Sequence, residues 1–83
     1  MSEEPNEIIV YGAIWCPDVR MTRAFLDRHG VAYVYRDIDR DAGAMDALLA
    51  LRGKAWVVPT LVLADGTILD DPSRRELKRR LGL

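Results

Sequence analysis

Four apolar residues in a row, Ile8-Ile9-Val10-Tyr11, open the patterned part of the chain. Such a run leaves no face for solvent and predicts a strand buried on both sides. Gly12 and Ala13 allow a close turn, and behind them the period changes. Met21, Ala24, Phe25 and Arg28 recur at helical spacing, with Arg20, Arg23 and Asp27 expected to face water. Cys16 falls at the N-cap of this helix and Pro17 at its first position, where a missing N–H costs nothing. Gly30, after His29, suits the helix end. Val31 to Ile38 is rich in β-branched and aromatic residues and predicts a second strand, parallel to the first across a short βαβ crossover.

Asp39 or Asp41 can cap a second helix with an apolar stripe of Met45, Leu48, Leu49 and Leu51, ended by Gly53. Trp56-Val57-Val58-Pro59-Thr60 leads into Leu61-Val62-Leu63-Ala64, and Asp65-Gly66 separates this run from Thr67-Ile68-Leu69, a strong hairpin signal. Ser73-Arg74-Arg75-Glu76 has the form of a capping box, with Leu77 and Leu81 on the inner face of a third helix. The predicted order is β-α-β-α-β-β-α, in a domain spanning 7–83 behind a disordered N-terminus at 1–6.

Composition narrows the classes without choosing among them. The chain has 83 residues, 49% of them hydrophobic and 30% charged, an ordinary globular mixture. Its net charge of −1 argues against a domain built to bind nucleic acid. No apolar run approaches the roughly 20 residues of a membrane span, and the acidic start has no signal-peptide architecture. A single cysteine permits no internal disulfide and fits a reducing compartment. These features predict a cytoplasmic protein without nucleic-acid or membrane partners; a monomer is expected.

The chemistry concentrates at Cys16. A free cysteine is often a small buried hydrophobe. This one follows a buried strand, precedes Pro17 at a helix start and adjoins Trp15, so backbone N–H groups and the helix dipole would favour its thiolate. Asp18 opposes that effect as a nearby like charge, although it could also orient a cationic or amide group of a ligand. Trp15 is expected to face a ligand. His29 suits a structural role at a helix end, and one cysteine with one histidine makes no metal-ligand spacing.

Tyr11-Gly12-x-x-Trp15-Cys16-Pro17, Val58-Pro59-Thr60, and Ala64-Asp65-Gly66 leading to Asp71-Pro72-Ser73 together resemble the glutaredoxin family. Within it the chain is most similar to mycoredoxins and related actinobacterial glutaredoxin-like proteins, from Glu7 to the C-terminus. The resemblance implies an α/β thioredoxin-like fold, a four-stranded mixed sheet flanked by three helices. It implies Cys16 as the catalytic nucleophile and Trp15, Pro17, Asp18, Val58, Pro59, Asp71 and Ser73 as residues that bind a thiol ligand. It also implies a cis bond before Pro59, although most X–Pro bonds are trans. The backbone of Val58 could then pair with an extended ligand.

Departures from the family pattern shape the expected mechanism. Val19 stands where a dithiol motif has its second cysteine, so no neighbouring thiolate can resolve a mixed disulfide. Exchange with a low-molecular-weight thiol needs only the first cysteine. Glutathione-using members tend to carry a lysine three residues before the cysteine and Gly-Gly ahead of the ligand-binding acid. Here Ala13 and Asp70-Asp71 stand there, a poor match to a dicarboxylate thiol. The expectation is a single-cysteine thiol-disulfide oxidoreductase of cell redox homeostasis. It would act on thiol-modified proteins with mycothiol or glutathione as co-substrate, and with no bound cofactor or metal. A non-catalytic binding module and an iron–sulfur carrier are the alternatives, the latter weakened because Cys-Pro-Asp-Val is not Cys-Gly-Phe-Ser.

Overall fold

The computed structural model describes residues 7–83; the expectation of disorder at 1–6 lies outside the described residues. The elements run β1 (Ile8–Gly12), α1 (Pro17–Arg28), β2 (Tyr33–Asp37), α2 (Ala42–Arg52), a 3-10 turn (Gly53–Ala55), β3 (Thr60–Val62), β4 (Ile68–Asp70) and α3 (Arg74–Leu81). The sheet order is β2-β1-β3-β4, with β1 and β2 parallel and both pairs beyond β1 antiparallel. Together they form the four-stranded mixed sheet and three helices of a thioredoxin fold.

The unbroken apolar run of β1 is explained by its place between β2 and β3. Alternate side chains leave a strand on opposite faces, and here each face has its own core. Ile8 and Val10 pack with Phe25 and Leu26 of α1 and Leu77 of α3. Ile9 and Tyr11 pack with Ala44 and Leu48 of α2. Each such fully buried leucine is worth about 1.5–3 kcal/mol relative to exposure, so the sheet holds two modest cores rather than one large one.

The second strand is shorter than the expected Val31–Ile38 because Val31 and Ala32 are still turning out of α1. Its position at the sheet edge leaves Val34 exposed. The expected stripe of α1 is corrected. Val19, Thr22, Phe25 and Leu26 are buried, whereas Met21 is at the rim and Ala24 and Arg28 are exposed. Cys16 sets the phase, and residues three, six, nine and ten places on fall on the sheet side. Arg23 does not face water either. Its guanidinium lies 3.8 Å over the Tyr35 ring, and its Nε donates to Tyr33 Oη at 3.4 Å.

The stripe of α2 is corrected in the same way. Ala44 and Leu48 are buried, with Met45 and Ala47 partly so, but Leu49 and Leu51 are exposed. Asp41, rather than Asp39, caps this helix, accepting from Ala44 N–H at 3.2 Å. The hairpin forms at Asp65-Gly66, where Gly66 takes a φ of 92° that a side chain would resist. The capping box of α3 is half made. Ser73 Oγ accepts from Glu76 N–H at 3.1 Å, while the Glu76 carboxylate turns to Arg80 at 3.8 Å.

Candidate active site

Cys16 sits where β1 hands over to α1. Its N–H donates to Ala13 O at 3.1 Å, closing a tight turn, and its carbonyl accepts from Arg20 N–H at 3.1 Å as α1 begins. Its backbone is extended, Pro17 takes the first helical position, and Asp18 is the first-turn acid, as expected. The residue is 9% exposed, so only an edge of the thiol meets solvent.

Facing the thiol is the segment before β3. The Val58–Pro59 peptide is cis, and the Cys16 thiol lies 3.8 Å from Val58 O, in reach of a weak S–H···O contact. Thr60, fully buried, donates through Oγ1 to Val57 O at 2.7 Å and so ties down the far side of this loop. Asp71 N–H donates to Pro59 O at 2.8 Å, which brings the segment after β4 to the same place. Sequence separations of 42 and 55 residues thus converge on one thiol.

Asp71 takes a φ of 44°, unusual for a residue with a side chain, and its carboxyl faces Asp18. Burial, then the Asp18 charge and a hydrogen bond to Asp18, push the Asp71 carboxyl above its ordinary value. Two acids of the expected ligand set therefore share one side of the site, and no cation pairs with either among the described residues.

Other expected site residues are placed differently. Trp15 is 61% exposed. Its indole is not loose, because Nε1 donates to Asp39 Oδ2 at 2.6 Å. Asp39 is in turn steadied through its N–H, which donates to Asp37 Oδ1 at 2.8 Å. Ser73 uses its hydroxyl to cap α3, which leaves less of that side chain for a ligand. Sequence reading missed the anchoring roles of Asp39 and Thr60. Thr60 next to Pro59 was visible as a motif, but nothing signals a bond from Asp39 across 24 residues.

Val19 is wholly buried. A Cβ built on Gly12 would lie 2.7 Å from Val19 Cγ1 and 3.0 Å from Tyr35 Cε1. Val19, three residues beyond Cys16, therefore packs directly against Gly12, and Gly12 is required by that close approach. Among the described residues no group of three or more His, Cys, Asp or Glu side chains is placed to hold a metal. No helix among them is long and apolar enough to cross a membrane.

A buried thiol at a strand-to-helix junction, opposite a cis-proline loop on a β2-β1-β3-β4 sheet, defines a protein of the thioredoxin fold. The comparisons specify the branch. The glutaredoxin family model matches residues 8–68. A Mycobacterium tuberculosis protein that carries a provisional glutaredoxin name is 30% identical over 74 residues, covering 89% of this chain and 88% of its own length. The crystal structure of the thioredoxin-like protein BC3987 superimposes with a TM-score of 0.77 at 30% identity, covering 88% of this chain and 97% of that one. The glutaredoxin of Methanosarcina mazei Go1 gives 0.79 at 22% identity, over 94% and 80% of the two chains, a likeness of fold. The chain belongs to the glutaredoxin family, and a role in redox chemistry follows from that membership.

Proposed function

We propose that this glutaredoxin is a single-cysteine thiol-disulfide oxidoreductase that exchanges mixed disulfides between proteins and a low-molecular-weight thiol. In the first step the Cys16 thiolate attacks the small-thiol sulfur of the mixed disulfide. A Cys16–small-thiol disulfide forms, the protein–sulfur bond breaks, and the protein thiolate leaves with the electron pair. In the second step a further small-thiol thiolate attacks the sulfur attached to Cys16. This returns the Cys16 thiolate and yields the oxidised, symmetrical small-thiol disulfide. Two electrons pass from the small-thiol pool to the protein, and no second cysteine is used.

The observation that carries this reading is Val19. It is buried three residues beyond Cys16, where a resolving thiol would stand, in a chain with no other cysteine. Val58 and Pro59 supply backbone for an extended ligand, with Trp15, Pro17, Asp18, Asp71 and Ser73 around it. The acidic side formed by Asp18 and Asp71 supports mycothiol over glutathione, whose two carboxylates would meet like charge. The protein would act as a cytoplasmic monomer, where reduced small thiols are abundant and one cysteine stays reduced.

Replacement of Cys16 by Ser is expected to abolish turnover of a mycothiol-modified or glutathione-modified protein. The assay follows release of the protein thiol with either small thiol as reductant. Unchanged turnover in the serine variant would refute the assignment.

A further inference from the structure

The strongest charge-assisted contact at the rim of the site joins two residues outside the ligand set. Arg52, the last residue of α2, donates from Nε to Asp70 Oδ1 at 2.8 Å and from a terminal nitrogen to Asp70 Oδ2 at 2.5 Å. This is a two-pronged guanidinium–carboxylate pair, the geometry that holds an arginine most firmly. Both side chains are still about a third to a half exposed, at 32% and 45%.

Its location gives the pair a role. Asp70 ends β4 opposite Thr60 in the sheet register, and Thr60 lies opposite Tyr11 of β1. The next residue, Asp71, donates its N–H to Pro59 O beside the nucleophile. Arg52 is therefore fixed to the residue that precedes Asp71 in the chain, with both prongs of its guanidinium engaged by Asp70. Lys54, in the 3-10 turn, is the other cation of this segment.

Resting on the exchange reading given above, we propose that Asp70 is a specificity-determining residue. By holding Arg52 it withholds a cation from the thiol ligand, so that Cys16 favours small thiols carrying positive or neutral groups over those carrying carboxylates. Removing Asp70 frees Arg52 to meet a carboxylate and changes the preference without touching the nucleophile.

The test measures how fast Cys16 of the full chain forms a mixed disulfide with three symmetrical disulfides, followed by intact mass. The probes are glutathione disulfide (carboxylate-bearing), cystamine (cationic) and 2-hydroxyethyl disulfide (neutral), with the neutral rate as reference. In each reaction the Cys16 thiolate takes one half of the disulfide and expels the other as its thiolate, so turnover is not required. Asp70→Ala is expected to raise the ratio for glutathione disulfide by about two- to fivefold, the scale of one exposed charge, and not the ratio for cystamine. Arg52→Ala added to Asp70→Ala should cancel that gain. High salt should shrink it.

A gain shared by all probes, no gain, or a gain that survives loss of Arg52 would overturn the proposal. If Asp70→Ala lacks a cooperative thermal transition, Asp70→Asn, which keeps the side chain's shape, is judged by the same ratios. Wild-type Cys16 unreactive toward every probe would refute the exchange reading and this proposal with it. A reactive Cys16 with charge-blind ratios would refute the proposal alone.

Discussion

Gly12 and Val19 should behave as a single packing unit, and a double-mutant cycle can establish it. The Cβ of Gly12→Ala would arrive 2.7 Å from Val19 Cγ1, 3.0 Å from Val19 Cγ2 and 3.0 Å from Tyr35 Cε1. Overpacking of this kind costs about 1–3 kcal/mol, offset by up to about 1 kcal/mol because alanine stiffens the unfolded chain. A net loss of about 1–2 kcal/mol follows, or roughly 4–16 °C in Tm for a domain of this size. Val19→Ala removes two methyl groups from a site with no exposure. It should lose about 1–2.5 kcal/mol through lost burial and the cavity left behind. In the double variant the new methyl enters the space the valine vacates, and two of the three close approaches vanish. Only Tyr35 Cε1 remains near, so relief is incomplete. The double variant should therefore be about as stable as the worse single one, a coupling of about 1–2 kcal/mol in favour of the pair. Urea unfolding of the four proteins, followed by far-ultraviolet circular dichroism, gives each term. Losses that simply add, to within the about 0.5 kcal/mol expected of independent sites, would refute the account of Gly12.

Two further outcomes concern the site. Val19→Cys should confer direct reduction of a protein disulfide by forming a disulfide with Cys16, at a stability cost of about 1 kcal/mol for the lost methyl; no gain in an insulin-reduction assay would mean that the scaffold lacks more than the resolving thiol. Asp18→Asn should alter the pH dependence of stability. The Asp71 carboxyl is raised in the folded protein, first by burial and then by Asp18, from an ordinary value of 3.8. The folded state therefore holds its proton more tightly, and the associated stability is fully present below 3.8 and lost as pH rises through the folded value. Removing the Asp18 charge should make that loss shallower and leave the part due to burial; an unchanged slope in urea midpoints against pH would contradict the pairing.

The element order was legible because each element carries its own local signal. Ile8 to Tyr11 has no polar break, Pro17 and Gly30 bracket α1, Asp65-Gly66 makes the hairpin and Ser73 caps α3. Helix faces were less legible. In α1 the arginines and Met21 mask a phase fixed by Cys16 and Val19. In α2 the four large apolar residues outnumber the positions that the sheet can cover, so Leu49 and Leu51 remain outside. At the site, Cys16 and the Val58-Pro59-Thr60 segment were readable from motifs. The bond from Trp15 to Asp39, the opposition of Asp18 and Asp71, and the Arg52–Asp70 pair depend on side chains brought together from distant segments, and no periodicity encodes them.

The two cores on either side of β1 have a consequence for how activity can be lost. Both draw on the same five-residue strand, and Cys16 hangs from its end by a single tight turn. A strand with partners on both edges and packing on both faces cannot detach while the rest stays folded, so its opening free energy is that of the whole domain. Cys16 is thus bolted to the least yielding part of the molecule, whereas Trp15 is tethered through one exposed hydrogen bond and the cis-proline loop through Thr60 and the N–H of Asp71. Wear at this site would begin in its walls, and the thiol itself would be the last component to move.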